Sequence, residues 1–189
     1  MVALTDKELM QRAADGSREA FDELVTRFRD RLVSFAWHLT GDRHAAEDLA
    51  QETLLRAYRA SRRYDGRAEV STWVFTIARN LCLNARRDQA RRRTVPLPTE
   101  GDGMSPSLPD PATDSPAAGL ERAELARLIE QAVAALPERQ RTALVLAKYE
   151  EMPYEQIAQV LDSTVAAVKL CVFRAKGALR AKLAPYLRS

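Results

Sequence analysis

Residues that could cross-link the chain or hold a metal are scarce. Only two of the 189 residues are cysteines, Cys82 and Cys171, which lie far apart and form no CxxC pair. This spacing argues against a disulfide framework and against a zinc site. A second possible metal site, His44-x-x-Glu47 with His38 nearby, has no third ligand and no glycine-rich phosphate loop beside it. We therefore expect no metal, no cofactor and no small-molecule substrate, and we predict that the protein is not an enzyme.

Long apolar runs are missing as well. Uninterrupted runs such as Ala143–Ala147 are far shorter than the roughly 20 residues that a membrane span needs. The first residues show no basic region followed by an apolar stretch, which a signal for export would have. Because 46% of the residues are apolar, the chain is too apolar for wholesale disorder. We expect a soluble, cytoplasmic protein without direct membrane insertion.

Charge is unevenly distributed, although the formal net charge is only +3. Acidic residues outnumber basic ones over residues 1–52, whereas residues 56–93 contain eleven arginines and no lysine against three acids. After Asp162 every charged residue is basic. Two basic zones indicate two contacts with a polyanion such as nucleic acid. The alternative interpretation is a solvated basic surface.

Proline marks one internal boundary. Six prolines, two glycines and four acids collect between Thr94 and Ala118. Such a segment buries too little apolar surface to offset the entropy cost of ordering, so we predict a flexible linker over residues 94–118. The linker would join two small helical domains, residues 1–93 and 119–189.

No alternating strand pattern is present, and helical periodicity dominates both predicted domains, so the predicted fold class is all-α. Helix starts are indicated by Thr5, Ser17, Asp42, and Ser71 or Thr72, whose side chains can cap a first turn. The fourth of these helices would end near Gln89. After the linker we predict four more helices, Leu120–Leu136, Pro137–Tyr149, Pro153–Leu161 and Val165 to about Leu183.

The last two helices, separated by a tight break, resemble a DNA-binding helix-turn-helix. In the final helix one apolar stripe can pack on the preceding helix, and it consists of Val168, Val172, Ala175 and Leu179. A separate face carries Lys169, Leu170, Phe173 and Arg174. Cations on this face can donate to guanine or phosphate, and its apolar members can touch thymine methyl groups. The alternative is an ordinary amphipathic helix with Phe173 in the core.

Several motifs carry a family resemblance. The segments Asp48-Leu49-Ala50-Gln51-Glu52-Thr53, Tyr64-Asp65-Gly66-Arg67 and Thr72-Trp73-Val74-Phe75-Thr76-Ile77-Ala78-Arg79-Asn80 closely resemble region 2 of extracytoplasmic-function (ECF) sigma factors of bacterial RNA polymerase. Leu136-Pro137-Glu138-Arg139-Gln140-Arg141, Tyr154-Glu155-Gln156-Ile157-Ala158 and Thr164-Val165-Ala166-Ala167-Val168-Lys169 resemble region 4. Together the motifs cover nearly the whole chain outside the linker, in the family's order.

The resemblance implies three binding surfaces. The residues that would contact the clamp of the largest polymerase subunit are Asp48, Gln51, Glu52, Leu55 and Arg56. The melted −10 promoter element would be bound by Tyr64, Arg67, Ser71, Thr72, Thr76, Arg79, Asn80 and Asn84. The −35 element would be bound as duplex by Tyr154, Glu155, Thr164, Lys169, Leu170, Phe173 and Arg174.

The same resemblance implies further partners: the flap of the second-largest polymerase subunit, and an anti-sigma factor that would hold the protein at the membrane. The sequence also departs from the family, because Asp162, Leu170 and Cys171 stand where Gly, Ser and Arg are common. Trp73 shares a helix face with Ile77 and Leu81, which favours a core position over stacking on a base.

A different class of protein also fits part of the pattern. In a ligand-responsive regulator, the first ninety residues would sense a small molecule and the last helices would bind an operator. This hypothesis accounts for the basic final helix, but it gives no role to the arginine-rich helix before the linker.

Overall fold

The computed structural model describes residues 4–93 and 116–186. Over these ranges the regular structure is helical without strands, as the sequence predicted. The α-helices are α1 (Asp6–Ala14), α2 (Arg18–Thr40), α3 (Arg43–Ala60), α4 (Val70–Arg93), α5 (Pro116–Ala134), α6 (Glu138–Lys148), α7 (Tyr154–Val160) and α8 (Val165–Leu183). Most of the predicted linker, residues 94–115, lies outside the described residues.

Polar side chains cap the starts of four helices, and three of these caps, Thr5, Ser17 and Asp42, were predicted. Thr5 forms a full capping box with Glu8 at the start of α1. Ser17 accepts a hydrogen bond from the Ala20 amide at 3.2 Å, and Asp42 accepts one from Ala45 at 3.0 Å. Thr164 does the same for α8 (Ala167 N to Thr164 Oγ1, 3.2 Å). Each cap satisfies an amide that lacks a helical partner.

Both ends of α4 and the start of α5 were predicted wrongly. Helix α4 begins at Val70, ahead of the predicted caps Ser71 and Thr72, because the Trp73 amide already donates to the Glu69 carbonyl at 3.0 Å. It also runs past Gln89 to Arg93. Helix α5 begins at Pro116 rather than Leu120, so the end of the predicted linker is helical. Proline suits a first helical turn, where its missing N–H costs nothing.

The N-terminal bundle consists of α1–α4 and is organised around α2, which packs on the other three helices. The apolar stripe of α2 is buried and consists of Ala20, Phe21, Leu24, Phe28, Leu32, Phe35 and Leu39, with Val25 half-buried beside it. Phe28, Phe35 and Phe75 fill the centre, and the rings of Phe35 and Phe75 meet edge to face at 5.1 Å between centroids.

The C-terminal bundle consists of α5–α8. Residues 141–146 of α6 are all buried, so this helix lies at the centre, between α8 and α7.

Helices α7 and α8 form the predicted helix-turn-helix, with 97° between their axes. At the break Asp162 has φ +47°, and the Ser163 amide donates to the Ala158 carbonyl at 2.9 Å. This left-handed residue gives a physical reason for the glycine that resembling sequences have there.

The two bundles are in contact, and their buried apolar residues form one continuous cluster. Arg31 on α2 pairs with Glu150, which follows α6 (Nε to Oε2, 2.8 Å). The buried guanidinium of Arg141 on α6 donates to the Leu39 carbonyl at 2.9 Å. The His38 ring lies against the Tyr149 ring, with 4.2 Å between centroids. The sequence predicted two separate cores and gave no sign of this contact.

His38 provides a test of the contact through pH. Burial lowers the pKa of His38 from 6.5 to about 4, so the folded chain holds the ring neutral while the unfolded chain takes up a proton first. Its contribution to stability is therefore present above pH 6.5 and is lost as the pH falls towards 4. We expect this group to remove about 2 kcal/mol of unfolding free energy between pH 7.5 and pH 5.

Denaturant unfolding of His38→Gln at both pH values checks this expectation. The variant should lose less stability on acidification than the wild type does. His44→Gln is the control, because His44 is exposed on α3, and it should follow the wild type. Equal losses in all three proteins would contradict the role given to His38.

Candidate nucleic-acid and polymerase-binding surfaces

The loop before α4 is fixed by local contacts. The Tyr64 hydroxyl donates to the Ala68 carbonyl, and the Tyr64 ring lies 5.3 Å from that of Trp73. Lys7 pairs with Glu69 at 2.7 Å, which ties the loop to α1. Burial raises the pKa of Tyr64. The predicted −10 residue Tyr64 is therefore half-buried and acts as a brace, whereas Arg67 projects into solvent.

The remaining predicted −10 residues form what we call the α4 surface: Ser71, Thr72, Thr76, Arg79, Asn80 and Asn84. Asn80 and Asn84 are exposed, one helical turn apart. Ser71 and Thr76 are half-buried, and the Thr76 hydroxyl donates to the Thr72 carbonyl at 2.8 Å. Thr72 is buried. Of this set the structure fully exposes only the two asparagines.

Arg79 is the member most enclosed by other parts of the chain. Its side chain is 14% exposed, and its Nη2 lies 3.4 Å from Oε1 of Glu138 at the start of α6. Thr142 also donates to that carboxylate oxygen, at 3.4 Å. A carboxylate from the C-terminal bundle thus supplies Arg79 with a charged hydrogen-bond partner. The sequence gave no signal of this, because the two residues are 59 positions apart.

The predicted polymerase-binding residues lie along α3 and define the α3 surface: Asp48, Gln51, Glu52, Leu55 and Arg56. All are exposed except Glu52, which is half-buried and accepts a hydrogen bond from Arg56 at 2.7 Å. Leu55 leaves 49% of its surface in solvent. The surface therefore combines an apolar side chain with a rim of charges, as protein interfaces commonly do.

Tyr58 extends the α3 surface, and sequence reasoning missed it. It is about half exposed, three residues after Leu55 on the same face, and its ring packs on Phe21 at 4.8 Å between centroids. An aromatic residue at this spacing was the available signal. It was overlooked because the family motif ends before Tyr58.

The α8 surface consists of Lys169, Leu170, Phe173 and Arg174, all of which are exposed. Phe173 is 75% exposed, so the interpretation of Phe173 as a core residue was wrong. The predicted stripe packs inward, with Val168, Val172 and Ala175 buried and Leu179 half-buried. Of the other predicted −35 residues, Glu155 and Thr164 are exposed at the starts of α7 and α8, and Tyr154 is half-buried.

In residues 4–93 and 116–186 no three His, Cys, Asp or Glu side chains lie close enough to hold a metal ion. No single helix there has the length and hydropathy of a membrane span, and α7 with α8 meets that requirement only as a pair bent by 97°. The two cysteines lie apart, with Cys82 buried and Cys171 half-buried.

Two family models match the chain. Residues 24–92 match sigma-70 region 2, and residues 126–179 match sigma-70 region 4. The chain is also 33% identical to the RNA polymerase sigma-H factor of Pseudomonas aeruginosa over 190 residues, which covers 97% of this chain and 96% of that protein. It is 28% identical to the ECF RNA polymerase sigma factor SigW of Bacillus subtilis, covering 94% and 96%.

Solved structures show the same arrangement of helices. The chain resembles CnrH in its complex with the cytosolic domain of CnrY, with a TM-score of 0.71, 27% identity and coverage of 95% of this chain and 97% of that one. The fold also matches the sigma factor RpoE of Bartonella quintana, in complex with the anti-sigma factor NepR, with a TM-score of 0.69, 23% identity and coverage of 86% and 96%.

The brace at Tyr64 yields a prediction. Tyr64→Phe removes the donor to the Ala68 carbonyl, so we expect a loss of about 1 kcal/mol of unfolding free energy and faster amide exchange over residues 65–69. Denaturant unfolding and hydrogen exchange measure the two effects. Tyr58→Phe makes the same chemical change at an exposed ring and should alter neither. Unchanged exchange in Tyr64→Phe would show that the hydroxyl does not hold the loop.

Proposed function

Since this chain belongs to the sigma-70 family of RNA polymerase sigma factors, within the ECF group, we propose that it binds core RNA polymerase as an alternative sigma factor and directs promoter recognition, DNA melting and transcription initiation. The proposal rests on one observation: each of the two matched regions carries exposed side chains whose chemistry suits DNA binding. One surface lies on α4 in region 2, and the other lies on α8 in region 4.

The α8 surface reads the −35 element as duplex. Because α8 lies at 97° to α7, α8 can enter the major groove of DNA while α7 crosses the DNA backbone. Lys169 and Arg174 supply donors for guanine or phosphate, and Leu170 and Phe173 supply apolar contacts for thymine methyl groups. Glu155 and Thr164 lie at helix starts beside this surface.

The α4 surface and the loop before it take the −10 element as a melted strand. Asn80 and Asn84 offer amide groups that can pair with unstacked base edges. Arg67, exposed in the loop, can hold a phosphate of the single strand, and Arg79 can do so once it is released from Glu138. In this proposal Tyr64, Ser71, Thr72 and Thr76 position the surface, since they are wholly or partly buried.

The α3 surface docks on the clamp of the largest polymerase subunit, and we propose that Tyr58 belongs to it. Leu55 and Tyr58 would be covered in the interface, and Asp48, Gln51, Glu52 and Arg56 would form its polar rim. The C-terminal bundle would contact the flap of the second-largest subunit. Residues 1–93 and 119–189 are the two functional domains in this proposal, joined by residues 94–118.

Regulation and location follow the same proposal. An anti-sigma factor is the expected partner, supported by the similarity to CnrH, whose structure was solved with the cytosolic domain of CnrY. The protein acts in the cytoplasm and can be held at the membrane through that partner. It catalyses no reaction of its own and needs no cofactor.

Polymerase binding tests the proposal directly. Glu52→Arg reverses a charge on the α3 surface, so we expect weaker binding to core polymerase and less run-off transcription from a pool of genomic promoters, with folding intact. Glu47→Arg is the matched control, because both glutamates pair with an arginine four residues away on α3. Binding can be measured by fluorescence anisotropy of the labelled chain. Equal affinity in both variants would remove Glu52 from the interface.

Promoter reading provides a second test. If Arg174 contacts guanine, Arg174→Ala should cost about 1–3 kcal/mol of DNA-binding energy and relax the preference at one −35 base pair. A phosphate contact would instead weaken binding uniformly and lower the salt slope by about one unit. A series of promoter variants at two salt concentrations separates the two outcomes. Arg127→Ala, which removes an exposed arginine from α5, is the control, and a loss no greater than in this control would place Arg174 off the DNA.

A further inference from the structure

Helix α7, the first helix of the helix-turn-helix, is bonded to α6 at both of its ends. Ahead of α7 the Met152 amide donates to the Leu146 carbonyl at 3.0 Å. At the other end Arg139 Nη2 donates to the Leu161 carbonyl, also at 3.0 Å. The first bond joins two backbone groups, whereas the second depends on one side chain. A substitution of Arg139 can therefore remove the second bond alone.

The bond from Arg139 reaches the turn between α7 and α8. In that turn the amides of Asp162 and Ser163 donate back to carbonyls of α7 at 3.2 and 2.9 Å, as in a Schellman cap. The Leu161 carbonyl takes its donor from a different helix. Asp162 has φ +47°, a conformation that residues other than glycine adopt at a cost. A turn that carries such a cost gains from support outside itself.

The angle of this turn decides where the α8 surface lies. The buried side chains of Val168 and Val172 hold α8 on the bundle, but apolar contact is not directional. A hydrogen bond, in contrast, weakens steeply as its angle changes. Phe173 lies about 12 Å along α8, so a tilt of about 10° at the turn would move it by about 2 Å. A shift of this size would break contacts with base edges, whereas long side chains could still reach phosphates.

We propose that Arg139 is a positioning residue of the −35 surface. Its bond to the Leu161 carbonyl fixes the angle of α8 and thereby sharpens the choice of base pairs, while Arg139 itself stays off the DNA. This role rests on the proposed function of α8 as the −35 reader. Arg139 belongs to none of the three binding surfaces, and the sequence gave no signal of its role, because Leu161 is 22 positions away.

The test uses the full chain bound to core RNA polymerase. The wild-type complex first selects a preferred duplex from a pool whose −35 segment is randomised, and a scrambled version of that duplex is the nonspecific probe. The ratio of the two affinities measures base reading, and the affinity for the scrambled duplex measures phosphate contact. A wild-type complex that selects no sequence would contradict the proposed function of α8 and this role with it. The outcomes for the variants concern Arg139 alone.

Arg139→Met removes the donor but keeps an unbranched side chain. We expect the affinity ratio to fall at least about fivefold, the smaller cost of losing one base-pair contact, with the affinity for the scrambled duplex unchanged. Lys148→Met is the matched control, because it replaces an exposed cation on the same helix, and it should leave the ratio unchanged. Arg139→Lys keeps a donor and should retain most of the ratio, since the bond uses one nitrogen.

Hydrogen exchange over residues 161–163 tests the turn itself. It should be faster in Arg139→Met than in the wild type, with the protected amides elsewhere unchanged, which also shows that the variant is folded. An unchanged ratio, or unchanged exchange at the turn, would overturn the role of Arg139. An equal loss on both duplexes with a salt slope lower by about one unit would overturn it too, because Arg139 would then contact a phosphate. So would a ratio as low in Arg139→Lys as in Arg139→Met.

Discussion

The guanidinium of Arg141 lies in the interior, where it donates to carbonyls at the ends of two other helices. One bond reaches Leu39 near the end of α2, and another reaches Leu136 beyond the end of α5, both at 2.9 Å. Carbonyls at helix ends lack helical partners, so a buried donor that serves two of them ties the helices together. Burial lowers the pKa of Arg141, and the nearby charge of Arg86 acts in the same direction. The bond to Leu39 is the one of the two that crosses between the bundles, so a change in their relative position would leave the Leu39 carbonyl without this donor.

The placement of the surfaces follows from that constraint. Because Arg141 fixes α6 against the end of α2, Glu138 at the start of α6 comes within reach of Arg79, and Glu150 beyond its end comes within reach of Arg31. The α8 surface points away from this contact because its helix turns by 97° at Asp162. One packing arrangement thus covers part of the α4 surface and leaves the α3 and α8 surfaces accessible.

Helix identity and most boundaries could be predicted because they depend on neighbours in the sequence. Capping residues such as Ser17 and Asp42 act over three positions. The helical spacing of apolar residues in α8 places Phe173 outside the buried stripe, on the exposed face. The partial burial of Arg79 could not be predicted, because its partner Glu138 belongs to another bundle. Arg31 and Glu150 are 119 positions apart, and no local pattern links them. The proline-rich segment favoured independent domains, and it carries no information on how they pack.

The short helix α7 lies between two residues with left-handed backbone, Glu151 (φ +48°) and Asp162 (φ +47°). Side chains branched at Cβ clash with the backbone in this conformation, whereas glycine and asparagine adopt it at low cost. Valine and isoleucine are therefore strongly disfavoured at the two borders of α7. Sequence drift in this part of the protein is limited by backbone conformation as well as by contact with DNA.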